Sequence, residues 1–144
     1  MELSTAGAIL SFALGMEEKV LAFYGWVQSV ESFGESSEIL DLVVNEHKST
    51  ERRLARLRRE SVTEMILEPI HGFQSEDFEI DLKPPPNIDS QKCLALMKRL
   101  EATLSSFFRV AATKTMFLQE ISLALERMAT KTDLNLRLLE KLGQ

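Results

Sequence analysis

The chain has 144 residues, of which 44% are apolar and 27% are charged, and its formal net charge at pH 7 is −5. This length and composition fit one globular domain with a sizeable core. The acidic balance argues against nucleic-acid binding, because nucleic-acid-binding domains are usually basic. No apolar run approaches the ~20 residues of a membrane span, and the start lacks the basic segment of a secretory signal, so we expect a cytoplasmic, non-membrane protein.

The first predicted helix runs from about residue 4 to about residue 33. Ser4 or Thr5 is expected to cap it, and Gly34 to end it. Apolar residues recur every three or four positions, which is typical of a helix in a bundle. They are Ile9, Ala13, Met16, Val20, Phe23, Val27 and Val30, with a second stripe of Leu10, Leu14, Glu17, Leu21 and Tyr24 in which Glu17 is the one acid.

The second predicted helix runs from about residue 36 to about residue 65. Its apolar stripe contains two polar residues at its middle, and consists of Leu40, Val43, His47, Thr50, Leu54 and Leu57. Five arginines follow late in this helix: Arg52, Arg53, Arg56, Arg58 and Arg59. We predict a solvated face with glutamate partners such as Glu51 and Glu60, and a functional patch for anions is the alternative.

Residues 67–89 are predicted to form a long crossover, because Pro69, Gly72 and Pro84–Pro86 break any helix there. Ile80 and Leu82 alternate with acids, which indicates a short extended piece. Such a connection usually lies over the surface or joins the two ends of a bundle, and we expect His71 to meet solvent.

The third predicted helix follows a cap at Asp89 or Ser90 and covers about residues 90–113. One acid, Glu101, interrupts its stripe of Leu94, Met97, Leu104, Phe108 and Ala111. The fourth covers about residues 116–142, with Gly143 beyond its end. Its stripe consists of Leu118, Ile121, Leu125, Met128, Thr132, Asn135, Leu139 and Leu142. The single cysteine, Cys93, excludes an internal disulfide, and its apolar neighbours predict burial.

The polar interruptions of the two halves are in register. Glu17 is followed 84 residues later by Glu101, and His47 and Thr50 are followed 85 residues later by Thr132 and Asn135. Short loops predict two antiparallel helical hairpins, and the long crossover predicts that the second and third helices are parallel. The predicted fold is therefore an all-α four-helix bundle, in which two such hairpins are joined by a long crossover and contribute polar groups to one level of the core.

This arrangement resembles the rubrerythrin-like branch of the ferritin-like superfamily over residues 6–142. The resemblance is carried by Met16-Glu17 with Phe23-Tyr24 and by Leu100-Glu101 with Phe107-Phe108. It implies a ferritin-like four-helix bundle. Di-iron proteins of that superfamily place one Glu on each of two helices and a Glu-x-x-His pair on each of the other two.

Carried over by position, the resemblance implies a degenerate di-iron site. Glu17 and Glu101 match the two single glutamates. The two Glu-x-x-His pairs fall on His47 with Thr50 and on Thr132 with Asn135, so four of the six expected ligands are missing. Threonine and asparagine are neutral oxygen donors and poor ligands for iron.

Three functional hypotheses stay open at this point. The first is a ferritin-like protein without a cofactor, acting as a non-catalytic binding or structural protein of unknown partner, with Trp26 as a candidate contact in a homodimer. In it, His47, Thr50, Thr132 and Asn135 hydrogen-bond two buried glutamates, and the Tyr24 hydroxyl lies within reach.

The second hypothesis is a metal-binding protein or metal-dependent oxidoreductase that holds a single iron, manganese or zinc ion through Glu17, His47 and Glu101. The third is a plain helical interaction protein whose likeness to ferritins is coincidental. Motifs of nucleotide hydrolysis and of serine-type hydrolysis are absent from the sequence.

Overall fold

The computed structural model describes residues 1–29, 37–60, 69–83 and 89–142. It contains four α-helices and a short 3-10 helix between the second and third of them. The α-helices are α1 (Ala6–Gln28), α2 (Ser37–Glu60), α3 (Ser90–Lys114) and α4 (Gln119–Leu142), and the 3-10 helix is Ser75–Phe78. Within these ranges there is no strand beyond an isolated bridge between Glu2 and Gln74. The predicted all-helical class is confirmed.

Side-chain contacts give the directions of the helices. α1 meets α2 through Gln28 with Asp41 near one end and through Glu17 with His47 at the middle, so these two helices are antiparallel. α1 meets α3 through Phe12 with Phe107 and through Tyr24 with Glu101, which is again antiparallel. α2 and α3 are therefore parallel to each other.

α3 and α4 form the second antiparallel pair. Ser122 bonds the carbonyl of Ala112 next to the connecting turn, and Asn135 reaches Glu101 further along. None of the helices in the described ranges is long and apolar enough to cross a membrane.

The first helix is shorter at both ends than the sequence predicts. Thr5 is its N-cap, and the Thr5 hydroxyl accepts a hydrogen bond from the Ala8 N–H at 3.0 Å. The helix ends at Gln28, because the N–H and the hydroxyl of Ser29 both bond the Trp26 carbonyl and close the last turn. The rest of the predicted end, residues 30–33 and Gly34, lies outside the described residues.

The fourth helix begins at Gln119 and not near residue 116. The Thr115 hydroxyl belongs to the end of α3, where it donates a hydrogen bond to the Ala111 carbonyl at 2.8 Å. The N–H of Leu118 then bonds the Thr115 carbonyl at 2.8 Å, which makes residues 115–118 a turn. The predicted Asp89 cap of α3 is confirmed by its bond to the Gln91 N–H. Residues 61–65, predicted to end the second helix, and Gly143 lie outside the described residues.

The predicted apolar stripes form most of the core. All six stripe residues of α2 are buried, as are most of those on the other three helices. Five stripe residues are only partly buried, namely Leu14, Met16, Leu21, Leu94 and Leu142, and Val30 lies outside the described residues. Cys93 is fully buried, as predicted. The 3.6-residue period therefore places the core correctly, since each helix turns one face toward its neighbours.

The N-terminal segment and the crossover together close one end of the bundle. The N–H of Leu3 bonds the Phe73 carbonyl at 2.7 Å, and the N–H of Ile70 bonds the Ser4 carbonyl at 2.7 Å. His71 is 81% exposed, as predicted. Phe73 is only 1% exposed and packs against Phe107. The crossover therefore lies at the surface at His71, whereas at Phe73 its aromatic ring fills the bundle end.

The extended piece predicted around Ile80 and Leu82 covers the groove between α1 and α3. Phe78, Ile80 and Leu82 are half-buried, whereas Glu79 and Asp81 are exposed. The apolar side chains face Phe12 and Leu104. The piece has no ladder partner among the described residues, so its alternation reflects packing on helices and not pairing in a sheet.

Candidate functional site

Six polar residues singled out by the repeat are buried inside the bundle. Each helix contributes at least one of them, because each interrupts an apolar stripe that faces the core. Their exposed fractions are 0% for Glu17, 2% for His47, 6% for Thr50, 0% for Glu101, 4% for Thr132 and 3% for Asn135.

His47 lies between the two glutamates and contacts both. Its Nδ1 is 2.7 Å from Glu17 Oε2, and its Nε2 is 2.5 Å from Glu101 Oε1. In the imidazolium form both ring nitrogens carry a hydrogen and donate to these oxygens. Glu17, His47 and Glu101, which we call the central triad, therefore join α1, α2 and α3 through two charge-assisted hydrogen bonds.

Glu101 is the more heavily bonded of the two carboxylates. Besides His47, its Oε1 accepts a hydrogen bond from the Tyr24 hydroxyl at 3.1 Å and a longer one from Asn135 Nδ2 at 3.4 Å. The Tyr24 ring also stacks on the imidazole of His47, with ring centroids 5.5 Å apart. All four helices thus contribute a side chain to one connected network.

Burial and charge act on the triad in opposite directions. Burial on its own would lower the pKa of His47, but the charges of Glu17 and Glu101 and the hydrogen bonds to both raise it well above 6.5. This shift and the two short contacts to carboxylate oxygens favour the imidazolium form of His47 at neutral pH. Burial raises the pKa of Glu17 above 4.5, although His47 opposes this shift. Burial and the nearby Glu101 also raise the pKa of Tyr24 well above 10, so Tyr24 stays a neutral donor.

Two carboxylate oxygens of the triad remain without a partner. Glu17 Oε1 and Glu101 Oε2 are buried and make no hydrogen bond within the part of the chain that the structure describes. Buried polar atoms are normally bonded, so each such oxygen needs an explanation. A single imidazolium compensates only one carboxylate charge, and the raised pKa of Glu17 favours uptake of a proton for the other.

The remaining two polar residues stand apart from the triad. The Thr132 hydroxyl donates to the Met128 carbonyl of its own helix at 2.8 Å. Thr50 is buried but is not among the residues bonded to the two glutamates. Of the predicted hydrogen-bonding set, the structure therefore brings His47, Asn135 and Tyr24 to the glutamates and leaves both threonines out.

The three predicted metal ligands are brought together, but as a hydrogen-bonded chain. Among the described residues no cluster of three or more His, Cys, Asp or Glu side chains is arranged to hold a metal ion. A metal–histidine bond needs a free nitrogen lone pair, and both ring nitrogens of His47 face a carboxylate oxygen. The six aligned positions do not fit a di-iron centre, since four of them lack its ligands.

A second charged cluster lies beyond the triad, between α2 and α4. A groove of about 650 Å³ opens there. We call it the arginine groove, and its cationic side chains are Arg52, Arg53, Arg56, Arg59, Arg127 and Lys131. The predicted ion pairs with Glu51 and Glu60 are not formed among the described residues. The sequence analysis missed Arg127 and Lys131, although their spacing of four residues was a signal.

No match to this chain was found among protein-family models, among curated proteins or among solved structures.

Proposed function

We propose that this chain is a ferritin-like bundle of the rubrerythrin-like type that has lost its di-iron ligands and acts as a non-catalytic binding or structural protein. In this proposal the central triad replaces the metal centre as the polar tie between the helices. Its role is to hold α1, α2 and α3 in register, since a charged hydrogen bond requires one relative placement of its partners.

The directions of the helices support this proposal. α2 and α3 run parallel and are each antiparallel to α1, as the crossover of a ferritin-like bundle requires. A helical protein that resembled ferritins only by coincidence would not require these helix directions. The burial of all six aligned positions in the core supports the same relationship.

The observation that carries the proposal is the position of His47. One imidazole engages Glu17 and Glu101 with its two nitrogens, at 2.7 and 2.5 Å. The cation of the site is thus a side chain of the protein. No reaction is assigned to it, because the triad is buried and both nitrogens of His47 are engaged with carboxylate oxygens.

Metal analysis tests this proposal directly. We expect purified protein to contain no stoichiometric metal, to show no saturable binding of Fe(II) or Mn(II), and to melt at the same temperature with and without a chelator. The matched control is Glu18→Ala, which changes an exposed neighbour of Glu17. One equivalent of metal that is lost in Glu17→Ala and kept in Glu18→Ala would contradict the proposal.

A single-cation site is the second candidate function, and the two unpartnered oxygens favour it. Glu17 Oε1 and Glu101 Oε2 are buried carboxylate atoms, which are natural ligands for a divalent cation. Such a site would also need one nitrogen of His47 freed from its carboxylate. This candidate covers a metal carrier or a metal-dependent oxidoreductase using Glu17, His47 and Glu101.

Thermal melts with iron, manganese or zinc separate the two candidates. A single-cation site predicts that one of these metals raises the melting temperature of the wild type and that Glu101→Gln abolishes the increase. The non-catalytic proposal predicts no metal-dependent increase in either protein. Each protein is also melted without metal, so any effect of Glu101→Gln on stability itself is separated from its effect on metal binding.

A homodimer through α1 is the assembly that we propose. Trp26 is half-buried in the single chain, where its ring packs on Phe23 with centroids 5.9 Å apart. Half-covered aromatic rings are common at interfaces. Sedimentation velocity should show a dimer that Trp26→Ala weakens, whereas a monomeric wild type would overturn this assignment.

A further inference from the structure

The arginine groove concentrates positive charge in a chain that is acidic overall. Its six cationic side chains lie in one concavity, whereas the whole sequence carries a net charge of −5. None of the side chains lining the groove is a carboxylate. The field inside the groove therefore has the opposite sign to that of the protein as a whole.

The helical geometry explains why these residues converge. Arg52, Arg56 and Arg59 are spaced by four and three residues, so they share one flank of α2. Arg127 and Lys131 are spaced by four and share the flank of α4 that faces them. The two rows stand on either side of one groove.

Within the described ranges, most of these cations lack an anionic partner. Lys131 Nζ is 3.1 Å from Glu46 Oε1 at one edge of the groove. No carboxylate of the described residues lies within ion-pair distance of the five arginines that line it. Like charges three and four residues apart on a helix repel one another. The arrangement therefore carries a small repulsive cost, which a bound anion would offset.

The shape of the groove selects among anions. Its volume of about 650 Å³ lies in the range of small-molecule sites. A long polyanion such as nucleic acid would also have to approach the acidic remainder of the chain. Arginine binds phosphate oxygens in a bidentate manner, and several adjacent guanidiniums suit linked phosphoryl groups. The apolar floor, made by Ala55, Ala124 and Met128, leaves room for an organic part.

We propose that the arginine groove binds a small molecule carrying two or three linked phosphoryl groups. Arg52 and Arg56 bind the phosphoryl oxygens from α2, and Arg127 binds them from α4. The site is independent of the central triad, so this proposal stands or falls separately from the proposed function.

Isothermal titration with inorganic triphosphate tests the proposal. We expect saturable binding to the wild type with one site per chain, and about a tenfold loss of affinity in Arg56→Ala, as expected for a hydrogen bond to a charged group. Arg58→Ala is the matched control. It removes the same charge from the same helix, and Arg58 is exposed like Arg56 but does not line the groove. Its affinity should stay within about twofold of the wild type, since only a distant charge changes.

Three further measurements complete the test. The double variant Arg52→Ala/Arg56→Ala should lose more than the roughly tenfold expected for Arg56→Ala alone, and its melting curve reports whether it folds. Arg56→Lys should recover only part of the affinity, because lysine keeps the charge without the guanidinium fork. ATP that binds tighter than inorganic triphosphate assigns the apolar floor to an organic group, and equal affinity assigns recognition to the phosphoryl chain alone.

Other outcomes would overturn the proposal. They are the absence of saturable triphosphate binding, an equal loss of affinity in Arg56→Ala and Arg58→Ala, and binding of an oligonucleotide without any binding of triphosphate.

Discussion

The central triad and the arginine groove are two charge clusters on one helix, and they handle charge in opposite ways. His47 lies in the first and Arg52 in the second, about 8 Å further along the axis of α2. In the triad a cation and two carboxylates are sealed from solvent and bond one another. In the groove six cationic side chains line a solvent-accessible concavity between α2 and α4.

The difference follows from what each environment permits. An uncompensated ion in the core costs several kcal/mol, so a buried charge persists only beside a partner. An exposed guanidinium is hydrated and screened, so several can remain together at small cost. Internal compensation indicates a structural role, and charge of one sign held in an open concavity indicates a ligand. The variants described next test that contrast.

Replacing His47 should have the largest effect. His47→Leu removes the cation and leaves Glu17 and Glu101 buried beside each other, so the free energy of unfolding should fall by about 3–5 kcal/mol. Urea unfolding at neutral pH measures it. The control is His71→Gln, which changes an exposed histidine and should stay within about 0.5 kcal/mol. Equal stability of the two variants would show that the triad does not hold the core together.

The stability of the wild type should fall as the pH rises. The pKa values of His47 and Glu17 are both raised in the folded state, so the folded chain keeps protons that the unfolded chain has released. For His47 the stabilisation is complete below its ordinary pKa of 6.5 and is lost as the pH rises through the folded pKa. For Glu17 the loss begins above 4.5.

Unfolding experiments across neutral and mildly alkaline pH measure this dependence. The steepest slope for one proton is about 1.4 kcal/mol per pH unit. His47→Gln cannot take up a proton at this position, so its profile should be flatter than that of the wild type above pH 6.5. A wild type whose stability rises with pH over that interval would contradict the assignment of His47 as an imidazolium.

Neutralising one carboxylate should have a smaller effect than removing the imidazole. Glu17→Gln keeps an oxygen that accepts a hydrogen bond from His47 and removes a buried ion. The free energy of unfolding should therefore stay the same or increase, by no more than about 1 kcal/mol. Glu18→Gln, at an exposed position, gives the baseline in the same unfolding assay. A loss comparable to that of His47→Leu would mean that both carboxylate charges are needed.

Removing a charge from the arginine groove should raise the stability, in contrast to His47→Leu, and its effect should be the smallest of those predicted. Arg56 has arginines three and four residues away at Arg52, Arg53 and Arg59, so Arg56→Gln should stabilise the ligand-free chain by about 0.2–0.5 kcal/mol at low salt. Arg58 has no arginine at those spacings. Arg58→Gln is therefore the control in parallel melts, and added salt should shrink the difference between the two. Destabilisation specific to Arg56→Gln would indicate an internal partner.

Much of this architecture could be read from periodicity. Three-and-four spacing of apolar residues predicted the four helices and the burial of Glu17, His47 and Glu101. Residue type placed two N-caps at Ser4 or Thr5 and at Asp89 or Ser90, and the structure has Thr5 and Asp89. These features depend on local conformation and on one helical face at a time. The helix ends were less accurate. The Ser29 hydroxyl bonds the Trp26 carbonyl and closes α1 earlier than the apolar pattern suggests. The Thr115 hydroxyl bonds the Ala111 carbonyl, and the turn of residues 115–118 delays the start of α4.

The sequence by itself thus determined which side chains enter the core and that some of them are charged. Only the tertiary structure decided which of them meet: His47 joins both glutamates, Tyr24 reaches Glu101, Phe73 fills the bundle end, and Arg127 faces the arginines of α2. The physical reason is that contacts between helices depend on their relative rotation and axial offset. A periodic pattern within one helix shows which of its faces is buried, but it contains no information on the rotation or the axial offset of that helix relative to its neighbours.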